Sequence, residues 1–214
     1  MNSKLVKTEG LVIRETRYGE GDLIFTVLTP ARGRVSVISK SSRTSSLIDT
    51  KISVGYYMSF VFYKKDSMCW VKESELIEPF MRIRKDVVAS ALAYYILDVA
   101  NELSDDGQDC HDILAVTFNC LYALNYKPEI GYDLIKGAFE LKAVSVSGYM
   151  PTVTKCESCG KLDGGDLYLD VMNGGIICSS CMKKRANMPL EISPDDSDYH
   201  APVNILCPLS PDTI

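Results

Sequence analysis

Four cysteines in two pairs, Cys156 with Cys159 and Cys178 with Cys181, have the type and spacing that indicate chemistry most clearly. Each pair has C-x2-C spacing, and 18 residues separate the pairs. Thiolates at this spacing are typical of a tetrahedral zinc site. Because all four positions are cysteine, no ligand position is left for water, which predicts one structural Zn2+ ion and not a catalytic one. The alternatives are redox disulfides, which need an oxidising compartment, or four unrelated thiols.

No second group of residues has the pattern of a catalytic centre. His111 falls at the start of a predicted helix and His200 in a Pro-rich segment, so surface positions are the simpler interpretation for both. The Gly164-Gly165 and Gly174-Gly175 pairs lack the Gly-Lys-Ser/Thr sequence of a phosphate-binding loop. The sequence therefore predicts a protein that is not an enzyme.

Charge is unevenly distributed along the chain. The net charge of −5 alone argues against a nucleic-acid binder. Residues 1–65, however, carry eleven Lys or Arg against five Asp or Glu. The net charge of this segment is therefore +6, and that of residues 66–214 is −11. This asymmetry indicates a basic surface for a polyanion and an acidic remainder that faces solvent or another protein. A basic surface that meets only solvent is the alternative.

The elements that must position these residues begin with short strands. Alternating and β-rich runs predict five of them, over Leu11–Ile13, Leu23–Leu28, Val35–Ile38, Ile52–Tyr63 and Met68–Ile77. Five short strands with little helical pattern predict a small closed barrel over residues 1–80, and five is the strand number of an OB-fold. An SH3-like barrel is the nearest alternative.

From Arg82 onwards, apolar residues recur at the spacing of an α-helix. Apolar stripes predict three helices, over Val88–Leu103, Ile113–Leu124 and Glu129–Val146. The packed side of the first helix is expected to hold Val88, Leu92, Tyr95, Ile96, Val99 and Leu103. That of the third helix is expected to hold Ile130, Leu134, Ala138, Phe139 and Leu141. The predicted class is α+β: a five-stranded barrel, a helical domain over residues 81–152, and a four-cysteine ribbon over residues 153–186 with a hairpin strand at Leu167–Val171.

Two stretches of the chain resemble the RecO family of bacterial recombination mediators. The first comprises Glu9–Ile13, Tyr18–Ile24 and Leu28–Gly33; the second joins Phe139–Lys142 and Ser147–Pro151 to the first cysteine pair. The second is the more specific, because helix, Gly-Tyr-x-Pro turn and cysteine pair follow one another closely. The resemblance covers roughly residues 5–185. It implies an OB domain that binds single- and double-stranded DNA, and a helical region that carries zinc.

The resemblance implies that the basic N-terminal segment binds DNA. An OB barrel holds a single strand by its phosphates in a cationic groove and by bases stacked on aromatic side chains. Tyr18 is the favoured stacking residue, since the aromatic residues at 56–63 are expected to be mostly core. The phosphate candidates lie in or beside turns and strand ends: Arg14, Arg17, Arg32, Arg34, Lys40 and Arg43.

The resemblance implies a mediator that acts in DNA repair without chemistry. Such a protein anneals complementary strands and, together with RecR, helps to place RecA on single strands coated with single-strand-binding protein, in the bacterial cytoplasm at the nucleoid. No apolar segment approaches the roughly 20 residues that a membrane span needs. The alternatives are a zinc-ribbon adaptor that binds only proteins and, more weakly, a metal-dependent hydrolase.

The chain departs from the family after the second cysteine pair. The family usually continues there with helical sequence, whereas residues 187–214 contain five prolines and no apolar helical stripe. We expect this tail to be loop or disordered.

Overall fold

The computed structural model describes residues 5–18, 22–39, 52–65, 68–161, 166–170, 173–186 and 206–209. The chain consists of two compact units, Met1–Ser147 and Gly148–Ile214. The first contains the barrel and three helices, and the second contains the cysteine ribbon.

The first unit begins with a closed five-stranded barrel, as predicted. Its strands are β1 (Leu5–Tyr18), β2 (Asp22–Thr29), β3 (Gly33–Ser39), β4 (Tyr57–Lys65) and β5 (Met68–Glu78). The order around the barrel is β1-β2-β3-β5-β4. Every neighbouring pair is antiparallel except β3 and β5, which run parallel. The barrel is an OB-fold.

Alternating apolar side chains form the barrel interior. Val12, Phe25, Val27, Met58 and Phe60 are each at most 2 % exposed and belong to one cluster. Burial of such side chains is the main stabilising contribution to a small barrel. The predicted fourth strand begins later than expected, because residues 52–56 form a turn that lies beside β1: the N–H of Gly55 donates to the carbonyl of Val12 over 2.8 Å.

Strand β4 is also fastened to β1 by a side-chain hydrogen bond. The Tyr57 hydroxyl donates to Glu9 Oε2 over 3.0 Å. Burial, this hydrogen bond and the carboxylate charge together raise the pKa of Tyr57 from 10.0 to about 12. The bond thus favours the neutral phenol in the folded barrel.

Three helices follow the barrel: α1 (Val87–Glu102), α2 (His111–Tyr126) and α3 (Tyr132–Val146). Helix α1 begins at Asp86, whose carboxylate accepts from the N–H of Ala89 over 2.9 Å, and it therefore caps the helix. The other carboxylate oxygen accepts from the Tyr132 hydroxyl over 2.7 Å. Asp86 thus caps the N-terminus of α1 and links α1 to α3 through Tyr132.

The helices pack on the barrel through a second apolar cluster. This cluster includes Leu11, Ile13 and Leu28 from the outer side of the barrel and Ile96 and Phe139 from the helices. Successive residues of a strand point to opposite faces. In β1, Val12 therefore points into the barrel, while its neighbours Leu11 and Ile13 pack against the helices.

The predicted packed sides of two helices were partly wrong. In α1 the buried residues include Ala89, Ala93 and Leu97, whereas Val88 is 57 % exposed. In α3 Phe139 is buried as expected, but Leu134 is 60 % and Leu141 43 % exposed. Helix α3 has apolar residues on two opposite sides, and only the side with Phe139 contacts the core of the unit.

A turn of the barrel contacts the segment between α1 and α2. Gly33 has φ +60°, and a side-chain carbon at this position would overlap the carbonyl oxygen of Asp105. The N–H of Arg34 donates to that oxygen over 3.3 Å, and the N–H of Gly107 donates to the Arg32 carbonyl over 2.9 Å. Close approach of the two backbones at Gly33 requires glycine.

The described residues of the second unit form a small sheet and one short helix. Its elements are β6 (Thr152–Cys156), β7 (Leu167–Asp170), β8 (Gly175–Cys178), α4 (Ser179–Ala186) and β9 (Leu206–Leu209), and the sheet order is β6-β8-β7-β9. The predicted hairpin is confirmed, since β7 and β8 pair antiparallel.

The expectation of a tail without regular structure was wrong for four residues. Leu206–Leu209 forms the edge strand β9 and pairs antiparallel with β7. Pro208 is compatible with this position because an edge strand leaves one row of backbone N–H groups without a ladder partner. The rest of the tail, 187–205 and 210–214, lies outside the described residues.

Candidate metal centre and nucleic-acid interface

The four predicted cysteines converge in the second unit. Their Sγ atoms all lie within 4.8 Å of one another, and those of Cys159 and Cys178 are 3.9 Å apart. Four sulfurs at about 2.3 Å from a tetrahedral zinc ion would lie about 3.8 Å apart. The residues therefore fit a tetrahedral metal ion, and the cluster can hold one.

Strand ends and turns bring these thiols together. Cys156 ends β6 and Cys178 ends β8, while Cys181 lies in the first turn of α4. The turn after Cys156 closes with a hydrogen bond from the N–H of Gly160 to its carbonyl over 2.8 Å. The first pair thus presents its two sulfurs from a tight turn, and the second presents them from a strand end and the first turn of a helix.

The backbone around Cys156 favours a thiolate. Burial alone raises the pKa of this thiol, but the N–H groups of Cys178, Cys159 and Ser158 more than offset it and lower the pKa from 9.0 to about 6. The N–H of Cys178 lies 3.4 Å from the Cys156 sulfur. Negative charge at this position is therefore stabilised before any cation binds.

A second thiol of the cluster, that of Cys181, favours the neutral form instead. The hydrogen bond with Cys178, burial, the hydrogen bonds with Cys159 and Cys156, and the charge on Cys156 raise the pKa of Cys181 to about 12. A divalent cation would remove this penalty, because a metal ion deprotonates a coordinating thiol. The donor set therefore suits a bound cation better than four free thiols.

A buried acid ties the second cysteine pair to the hairpin. Asp170 is 1 % exposed and accepts from Asn173 Nδ2 over 2.7 Å and from Arg185 of α4. Burial favours the neutral form, yet the hydrogen bonds from Asn173 and Arg185 outweigh it and lower the pKa of Asp170. Because Arg185 follows Cys181 by one helical turn, this ion pair holds α4 against β7.

On the barrel, two of the predicted DNA-binding residues share one face of β1. Arg14 pairs with Thr26 and Tyr18 pairs with Asp22, and Thr26 lies between the inward-pointing Phe25 and Val27. The register of β1 against β2 shifts between Val12 and Arg14, so Arg14 lies beside Thr26 on the outer face of the barrel wall. Tyr18 follows four residues later and shares that face, because side chains alternate along a strand. Both are exposed, Tyr18 by 47 %.

The remaining candidates lie elsewhere. Arg17 is exposed on β1 but on the face opposite to Arg14, and Arg32 is exposed in the turn between β2 and β3. Lys40 and Arg43 lie outside the described residues. The structure therefore brings Arg14 and Tyr18 together and separates Arg17 from them.

Arg34 has partners within the first unit. Its Nε lies 3.1 Å from Asp106 Oδ1, and its Nη1 donates to the Asn101 carbonyl over 3.0 Å. The side chain is only 28 % exposed. A phosphate at Arg34 would therefore compete with contacts that join the barrel to the end of α1.

Comparison with known proteins places the chain in a family. Residues 1–80 match the family model of the recombination protein O N terminal region, and residues 84–196 match that of its C terminal region. The chain belongs to the RecO family. A DNA repair protein RecO of Alkaliphilus metalliredigens is 33 % identical over 178 residues, which are 83 % of this chain and 72 % of that protein.

Other RecO proteins are similarly related. Those of Acetivibrio thermocellus and Listeria monocytogenes are each 29 % identical over 83 % of this chain, which corresponds to 71 % and 69 % of their own lengths. In the described part of this RecO family member, no helix is long and apolar enough to cross a membrane.

A group of cations that follows the barrel was not among the predicted site residues. Arg82, Arg84 and Lys85 lie between β5 and α1, and all three are exposed. The signal was present, since three cations occur within the four residues 82–85. The net charge of −11 over residues 66–214 hides this short basic group.

Proposed function

We propose that this chain is a non-enzymatic recombination mediator that binds single- and double-stranded DNA through its OB barrel. The observation that carries the proposal is the exposed outer face of β1, where a cation and an aromatic ring, Arg14 and Tyr18, lie on the same side. Phosphate contact by the first and base stacking on the second are the two elements of single-strand binding by this fold. Further phosphate contacts would come from Arg32, Lys40 and Arg43, whereas Arg17 lies on the opposite face of β1 and is not part of this surface.

In this proposal the domains have separate tasks. Residues 1–80 bind DNA, residues 81–152 support the barrel and contact proteins, and residues 153–186 form a ribbon around one structural zinc ion held by Cys156, Cys159, Cys178 and Cys181. The zinc would supply folding energy to the ribbon and leave no open position for substrate.

The biological step would be exchange of a strand between proteins. The chain would anneal strands coated with single-strand-binding protein and, with RecR, assist RecA loading in the cytoplasm. A groove that holds phosphates competes for a strand already held by another protein, and protein contacts raise the local concentration of the mediator. The names of the relatives, DNA repair proteins, support this direction.

The test is fluorescence anisotropy with a labelled single-stranded oligonucleotide at two salt concentrations, with the zinc content measured on the same sample. We expect binding that weakens steeply with salt, since each phosphate contact on a single strand adds about 0.7 to the slope of log K against log salt. Arg14→Glu with Tyr18→Ala should abolish it, because both residues lie on the proposed DNA-binding face of β1. Arg34 is unsuitable for this test, because its substitution would also break the contacts with Asp106 and Asn101.

Absence of binding by a zinc-loaded sample would contradict the proposal. It would favour the protein-only adaptor, whose acidic half would be the interaction surface.

A further inference from the structure

A cavity of about 300 Å3 lies in the first unit where the barrel meets the helices. Its wall comes from the turn before β4 with Ser53, from the segment after β5 with Phe80, and from α1 with Ala93 and Tyr94. This volume is at the small end of the range for ligand sites, about 300–1,000 Å3. The cavity therefore suits one flat ring system better than a large ligand.

A fixed cation lies at the rim of this cavity. Arg84 is exposed, and its Nη2 donates to Ser53 Oγ over 3.0 Å and to the Val54 carbonyl over 3.1 Å. Its guanidinium carbon also lies 4.5 Å from the centre of the Tyr56 ring. A guanidinium has further N–H donors on Nε and Nη1, so Arg84 can hold an anion while these three contacts persist.

The walls combine aromatic and polar groups. Tyr94 is 63 % exposed, which places a ring at the cavity that a second ring can stack on. Phe80 is 2 % exposed and has φ +47°, the one non-glycine residue with positive φ in the described part of the chain. Backbone strain of this kind is often found at binding sites, where the surrounding structure maintains it.

The cavity is close to the face of β1 proposed to bind DNA. The turn that carries Ser53 is hydrogen-bonded to Val12 through Gly55, and Val12 precedes Arg14 by two residues. Two residues of a strand span about 7 Å. A single strand on Arg14 can therefore reach the rim at Arg84 within a few nucleotides.

We propose that this cavity receives one unstacked nucleobase of a bound single strand, with the adjoining phosphate on Arg84. The inference rests on the proposed function and adds a second contact site to it. Arg82 and Lys85 flank Arg84 and supply positive charge to the approaching backbone. Removal of one base from its stack would favour single strands over duplex, because a paired base cannot enter.

The experiment is photo-crosslinking of the full chain to a single-stranded oligonucleotide that carries 5-iododeoxyuridine, followed by mass spectrometry of the crosslinked peptide. We expect crosslinks at Tyr94 as well as at Tyr18. Ala93→Met fills the cavity with a longer side chain, so it should remove the Tyr94 crosslink and leave the Tyr18 crosslink. Loss of the buried base should weaken binding by about 5- to 150-fold, the range that one stacked base contributes.

A second pair of variants changes exposed cations only. Arg84→Gln also removes the contacts with Ser53, Val54 and Tyr56, so its thermal unfolding must match that of the unsubstituted chain before its binding is compared. Arg84→Gln should weaken single-strand binding about tenfold, since a charged hydrogen bond contributes on that order. Lys85→Gln is the matched control: it removes an exposed cation that does not line the cavity, and its effect should be clearly smaller. This pair keeps the test valid if Ala93→Met fails to fold, which thermal unfolding would reveal.

Other outcomes would overturn the inference in distinguishable ways. If the strand binds but no crosslink forms at Tyr94, or if Arg84→Gln and Lys85→Gln weaken binding equally, the cavity does not receive a base, although the proposed function stands. If no single strand binds at all, both proposals fail. If an acidic peptide with an aromatic residue binds with the same dependence on Arg84 and Ala93 while the crosslink is absent, the occupant is a protein.

Discussion

Substitution of Gly33 by alanine tests the junction between the barrel and the helices. The backbone at Gly33 has φ +60°, which costs an L-residue about 1–2 kcal/mol. The added carbon would also overlap the Asp105 carbonyl oxygen, so the segment that carries Asp105 has to move away. That movement would break the hydrogen bond from Arg34 N–H to Asp105 and the one from Gly107 N–H to Arg32, at about 1 kcal/mol each.

We therefore expect Gly33→Ala to lower the free energy of unfolding by about 3–4 kcal/mol. Gly107→Ala is a close control, because Gly107 has φ +78° in the same junction but no atom within 4 Å of the added carbon. Gly107→Ala should lower the free energy of unfolding only by the backbone strain, about 1–2 kcal/mol. The difference of about 2 kcal/mol isolates the contact between the two backbones.

The assay is urea unfolding of both variants, followed by circular dichroism, with the midpoint and slope compared with those of the unsubstituted chain. Equal destabilisation by the two substitutions would refute the reasoning, since the close approach would then contribute nothing. A loss in Gly107→Ala that exceeded the loss in Gly33→Ala would do the same.

Three further predictions concern the cysteine cluster, the proposed DNA-binding face of β1 and the dependence of stability on pH. Cys156→Ser should reduce bound zinc from one equivalent to a small fraction in a colorimetric metal assay, while Cys120→Ser, outside the cluster, should retain it; full retention by the first variant would exclude four-thiolate coordination. Arg14→Gln should lower the slope of log K against log salt for a single strand by about 0.7, and Lys72→Gln, on β5, should leave it unchanged; equal slopes for both variants would remove Arg14 from the interface. The raised pKa of Tyr57 means that its contribution to stability is complete below pH 10 and is lost as pH rises towards 12; Tyr57→Phe should flatten this fall in an alkaline unfolding series, and an unchanged fall would refute the assignment.

The barrel and the cysteine cluster could be predicted because their signals are local. Alternation of apolar residues identifies a strand with one buried face, and C-x2-C spacing identifies a turn that presents two thiols. The hairpin from Leu167 could be predicted for the same reason, since the turn residues Asn173 and Gly174 occur shortly after it in the sequence.

Features that depend on distant partners could not be predicted. Arg34 has the sequence context of a phosphate-binding residue, yet its guanidinium group contacts Asp106 and Asn101. Nothing near Arg34 in the sequence indicates these contacts. Helix α3 illustrates a second limit. Apolar residues recur at helical spacing on both of its apolar sides, so the sequence does not show which side is buried. In the structure Phe139 faces the core and Leu134 is exposed.

The parallel pairing of β3 with β5 has a consequence for how the barrel forms. Among the described residues this seam consists of Val37 beside Cys69 and Ile38 beside Trp70, whereas each antiparallel seam is several pairs longer. The β1-β2-β3 hairpins join neighbours in the chain and can form early, but closure must wait until β5 returns to β3 from far along the sequence. The seam should therefore be the last part of the barrel to fold and the first to admit solvent, so that its amide protons exchange before those of β1 and β2.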